Sequence, residues 1–108
     1  MISKKEIVGL IKDTIYKELG VTVGNGHRSY DVHMLTGWHY ASNSKDKYGY
    51  VILSNNYDIS NDKVMSINNI IYRIFTEHQY NITYTTTKMR DNGDFYIRYQ
   101  FRNQELEV

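Results

Sequence analysis

The chain reads as an α+β two-layer sandwich. One antiparallel sheet carries two helices on one face, in the order α-β-β-α-β-β. Three observations lead there. Residues 4–19 and 64–78 repeat apolar side chains at helical spacing, with polar positions between them. Residues 30–40, 48–54, 82–87 and 95–102 read as strands, most of them alternating with period two. An Asn92-Gly93 pair stands between the last two, where a type I′ turn would join them. Helices and strands with one apolar face must bury it, and stacking both helices on one side of a single sheet does so. The sheet has four strands, or five if residues 21–23 add one. A length of 108 residues fits one globular domain spanning 1–108.

The first helix opens with a capping box, Ser3 to Glu6. Ile7, Leu10, Ile11, Ile15 and Leu19 form its apolar stripe, and Gly20 is placed to close it. Residues 21–23 form a short candidate strand, followed by a turn at Gly24-Asn25-Gly26. A phosphate cradle is the weaker reading of that glycine pair, because a strand pattern follows instead of a helix start. In residues 30–40, Tyr30, Val32, Met34, Trp38 and Tyr40 share one side. Asp31, His33, Leu35, Gly37 and His39 share the other.

After a polar loop at 42–47, the strand at 48–54 is apolar on both sides, which points to a central place in the sheet. The second helix is capped by Ser60 or Asn61. Its stripe is Val64, Ile67, Ile71, Ile74, Phe75 and His78, and it ends near Tyr80. In the closing hairpin Phe95, Ile97, Tyr99 and Phe101 alternate with Tyr96, Arg98, Gln100 and Arg102. A two-residue loop sets Thr86 opposite Tyr99 and Tyr84 opposite Phe101. It sets Thr85 opposite Gln100, Thr87 opposite Arg98 and Met89 opposite Tyr96. The tail from 103 to 108 is polar and reads as frayed.

Net charge is +1 and hydrophobic residues make up 41%, so no long-range field selects nucleic acid, membrane or an acidic partner. The absence of cysteine excludes disulfides, thiol catalysis and cysteine-bound zinc. No apolar run reaches the roughly 18–20 residues of a membrane-spanning helix. The N-terminus lacks an apolar signal core, so a cytoplasmic location is expected. The abundance of Asn, Lys, Ile and Tyr matches AT-rich genomes such as those of low-GC Gram-positive bacteria and their phages.

Chemistry-bearing spacings are weak. His33 and His39 share a strand side but stand six residues apart, about 20 Å along a strand, too far to hold one metal. His27 and His78 add no ligand spacing, and neither Glu77-His78 nor Asp31-x-His33 forms a catalytic constellation. No catalytic residue, metal site or cofactor is assigned, and a non-enzymatic role is expected. A solvent-facing set remains: Tyr96, Arg98, Gln100, Arg102, Thr85, Thr87 and Met89, with His33 and His39 on the neighbouring hairpin. Tyrosine and arginine are hot-spot residues of protein interfaces. The 11 tyrosines exceed what a small core needs, so Tyr48, Tyr57 and Tyr96 are expected at the surface. The same face could also stack and hold single-stranded nucleic acid.

The helix–hairpin–helix–hairpin order and the closing run Gly93-Asp94-Phe95-Tyr96-Ile97-Arg98-Tyr99 resemble the YezG-type immunity proteins of polymorphic toxin systems. The resemblance implies a small cytosolic protein that neutralises a toxin by binding it, and it passes on no individual site residue. A phage-encoded inhibitor of a host defence enzyme fits the same features. The expected partner is therefore a protein, either a toxin or a host defence enzyme. Nucleic acid is the alternative, membrane binding is not expected, and the protein would be a monomer or a homodimer.

Overall fold

The computed structural model describes residues 3–26, 29–40, 47–89 and 94–103. The elements run α1 (Lys4–Leu19), β1 (Val23–Gly24), β2 (Val32–Tyr40), β3 (Lys47–Asn55), α2 (Asn61–Glu77), β4 (Tyr80–Met89) and β5 (Phe95–Asn103). The class is α+β, as expected. The sheet has five strands in the order β1-β2-β3-β5-β4, which places the doubly apolar β3 at its centre.

The helix ends follow from their caps. Ser3 Oγ accepts from Glu6 N at 3.2 Å, and Gly20 closes α1 in the left-handed region at φ 68°. Of the two candidate caps on α2, Ser60 holds the place, accepting from Lys63 N at 3.3 Å. Each serine satisfies a backbone N–H that the first helical turn leaves without a partner. Gln79, one residue past the α2 cap, takes φ 61°.

Both helices face one continuous core. Ile7, Ile11 and Ile15 of α1 and Val64, Ile67, Ile70, Ile71, Ile74 and Phe75 of α2 pack with Val32, Met34, Val51, Leu53, Ile97, Tyr99 and Phe101 of the sheet. Leu10, expected in the α1 stripe, is 36% exposed, because the buried positions keep to the narrower Ile7–Ile11–Ile15 line. Phe75 lies 4.4 Å from Phe101, ring centroid to centroid, and Tyr80 closes edge-on against Phe101 at 5.4 Å. Phe101 in turn lies flat over Gly49, its register partner, where a Cβ would overlap the ring. Tyr99 O–H donates to Asn68 Oδ1 at 2.7 Å, tying β5 to α2. Across the outer surface Arg73 of α2 pairs with Glu18 of α1, an exposed contact that salt screens.

Two expectations about the sheet are corrected. The first concerns strand direction. β1 runs parallel to β2, with Val23 opposite Val32, so the sheet is mixed. A hairpin at 24–26 would have made the pair antiparallel. Instead Thr22 and Asp31, each just ahead of its strand, are clasped together. Asp31 Oδ2 accepts from both Thr22 N and Thr22 Oγ1 at 3.0 Å, and Asp31 N donates to Thr22 Oγ1 at 2.9 Å. Val32 N then donates to Thr22 O at 3.0 Å, which starts the parallel ladder.

The second concerns the closing hairpin. The ladder sets Thr86 opposite Arg98, Thr85 opposite Tyr99, Thr87 opposite Ile97 and Met89 opposite Phe95. That is one residue away from the register of a two-residue loop. A bulge between Ile82 and Tyr84 then shifts the pairing again. A bulge adds one unpaired residue and so reverses which face the following side chains take. Ile82 therefore faces the core while Tyr84 faces away from it, 54% exposed. The Asn92-Gly93 turn, the loop at 42–46, His27 and the tail beyond 103 lie outside the described residues.

Candidate functional site

The face opposite the helices is laid out by register. Across β2, β3, β5 and β4, one row reads His33, Ser54, Tyr96, Lys88. The next reads Leu35, Ile52, Arg98, Thr86, and the third Gly37, Tyr50, Gln100, Tyr84. Arg102 stands beyond them, opposite Asn81. Strand alternation sends these side chains to one side and the core set to the other.

Of the residues expected on this surface, Tyr96, Arg98, Gln100 and Arg102 take those positions, each half-buried. Thr85, Thr87 and Met89 do not. The shifted register puts them on the helix side, and Tyr72 of α2 proves the point by sharing a hydrogen bond with Thr85, hydroxyl to hydroxyl, at 2.8 Å. Thr87 and Met89 are exposed there only because β4 is the outermost strand. His33 keeps its side of the sheet but is 8% exposed. Its Nδ1 accepts from Gly26 N at 3.2 Å, and Asn56 Nδ2 donates to Gly26 O at 3.1 Å and Tyr30 O at 2.9 Å. His33 thus holds Gly26 and is taken out of the exposed set. His39 occupies the ladder position opposite Tyr48.

Sequence reading missed Tyr50, Tyr84, Thr86 and Lys88. Tyr50 was unassignable because β3 is apolar on both sides. The three β4 residues were hidden by the bulge and the shifted register. One signal for Tyr50 was available in Gly37. The two are register partners, and the Tyr50 ring lies across Gly37 so closely that a Cβ there would overlap it. That glycine keeps the strand bare for an aromatic neighbour.

The Arg98 guanidinium carbon lies 5.3 Å from the centroid of the Tyr50 ring, a cation–π distance. Arg98 Nε is buried with no hydrogen-bond acceptor. Beside Arg98 a groove of about 580 Å³ opens between Ser54, Thr86, Lys88, Asp94 and Tyr96. Asn55 closes its end, accepting from Phe95 N at 2.8 Å. The groove brings cationic, carboxylate, hydroxyl and aromatic groups together, a set suited to holding a polar partner.

Among the described residues, no group of three or more His, Cys, Asp or Glu could hold a metal. No helix there is long and apolar enough to cross a membrane. No family model matches the chain, and no curated protein matches it either.

Proposed function

We propose that the helix-free face is a docking surface through which this protein binds, and so inhibits or neutralises, a protein partner. The carrying observation is the cluster of Tyr50, Tyr84, Tyr96 and Arg98 on one rigid sheet face, with the Arg98 Nε desolvated and unpaired. Large amphipathic rings and a stacked arginine lose little side-chain freedom on binding and bury much area, which is why they dominate interface hot spots. A toxin or a host defence enzyme is the class of target that suits a small cytoplasmic binder of this kind. The likeness to YezG-type immunity proteins supports the same reading.

A second reading is single-stranded nucleic acid. Three tyrosines beside Arg98 and Lys88 could stack bases and neutralise phosphates. Asp94 in the groove and a net charge of +1 weigh against it.

A retention experiment from the source cell distinguishes the readings. Wild-type protein is compared with the face variant Tyr84→Ser/Tyr96→Ser and with Tyr57→Ser, a tyrosine 50% exposed elsewhere. Docking through the face requires a protein retained by wild type and Tyr57→Ser and lost from the face variant. Equal retention by all three, or recovery of nucleic acid alone, contradicts it.

A further inference from the structure

We infer that the groove beside Arg98 receives an aspartate or glutamate side chain of the partner protein. The inference rests on the docking reading above and names the chemistry of what docks. Three features of the groove converge on a carboxylate.

The first is the state of Arg98. Its guanidinium is pinned against Tyr50, and its Nε is sealed from solvent without an acceptor. The paired Nη groups are then the edge that remains to bind. Among the described residues no carboxylate pairs with Arg98. A flat, held guanidinium presenting two parallel N–H donors matches the two oxygens of a carboxylate.

The second is local charge. Among the described residues, Lys88 and Arg98 line the groove against one acidic residue, Asp94. Lys88 neighbours Tyr96 in register and is exposed. It supplies a second cation to the lining of the same groove.

The third is the remaining wall. Ser54 and Thr86 carry hydroxyls that can donate to the carboxylate lone pairs the two cations leave open. A phosphodiester strand fits less well. It would bring a repeating charge past Asp94, whereas a single carboxylate can sit between Lys88 and Arg98.

The test uses a fluorescently labelled peptide of alternating Glu and Thr, the same peptide with Gln for Glu, and an oligothymidylate of equal length. Binding is followed by anisotropy at low salt. The Glu peptide should bind, and the Gln peptide at least tenfold more weakly. Arg98→Lys keeps the charge but removes the fork, and should lower Glu-peptide affinity about tenfold. Lys88→Gln should lower it severalfold. Circular dichroism of Arg98→Lys and Arg98→Met confirms that any loss is not unfolding. Equal binding of the Glu and Gln peptides overturns the inference, as does indifference to Arg98→Lys. Tighter binding of oligothymidylate overturns it in favour of nucleic acid. If the Glu peptide does not bind below roughly 1 mM while a face-dependent protein is still retained, the carboxylate inference fails and the docking reading stands. Loss of face-dependent retention as well removes both.

Discussion

Arg98 stacks on Tyr50, with its guanidinium carbon 5.3 Å from the ring centroid, and buries an Nε that has no acceptor. The stack holds the guanidinium in place, while the unsatisfied donor works against stability.

Arg98→Met follows from that balance. The cation–π contact is worth about 0.5–2 kcal/mol, and a buried unpaired donor costs about 1–3 kcal/mol. The variant should therefore fall within about 1 kcal/mol of wild type in urea denaturation while losing partner binding. A loss of several kcal/mol would make Arg98 a structural residue.

Tyr99 makes stability depend on alkaline pH. Burial, and then the charge of nearby Tyr72, raise its pKa above the ordinary value of about 10. The native state therefore holds the phenol proton more tightly than the unfolded chain does. The resulting stability is fully present below about pH 10 and is lost as pH rises beyond it. Tyr80 adds to the trend, raised by burial and by Glu6. Thermal denaturation from pH 8 to 12 should show a steep fall in wild type and a shallower one in Tyr99→Phe. At neutral pH the variant should lose about 1 kcal/mol with the bond to Asn68. Parallel curves above pH 10 would contradict the assignment.

Gln79 bears a local strain that can be removed. At φ 61° a side chain crowds the backbone, which costs about 1–2 kcal/mol in the left-handed region. Glycine avoids that cost but loses more entropy on folding. Gln79→Gly should raise stability by about 0.5–1 kcal/mol, read as a higher denaturation midpoint. A lowered midpoint would mean that contacts of the Gln79 side chain outweigh the strain.

Much of the fold was legible because burial imposes a period. The Ile7–Ile11–Ile15 line, Val64, Ile67, Ile71, Ile74 and Phe75 of the α2 stripe and the Phe95–Ile97–Tyr99–Phe101 row all pack into the core, while His78 caps the helix end instead. Ser3 caps α1 as read, accepting from Glu6 N. What failed depends on single residues that break a period. The bulge at Ile82/Tyr84 leaves no compositional mark, since threonine suits either face. It moved Thr85, Thr87 and Met89 to the helix side and brought Tyr84, Thr86 and Lys88 to the open one. The parallel β1–β2 pair rests on the Thr22–Asp31 clasp, a contact between residues nine apart with no local signature. His33 looked exposed because alternation reports the sheet face and not the hydrogen bond that Gly26 makes to its ring.

The most direct measurement is a ¹H–¹⁵N spectral titration of the whole protein with the Glu-containing peptide. Docking in the groove beside Arg98 should shift the amides of residues 52–54, 84–88 and 96–98, along with the Arg98 side-chain Nε–H. The α1 and α2 resonances should stay in place. Shifts centred on the outer surfaces of α1 and α2, with the three strands unmoved, would contradict a working surface on the helix-free face.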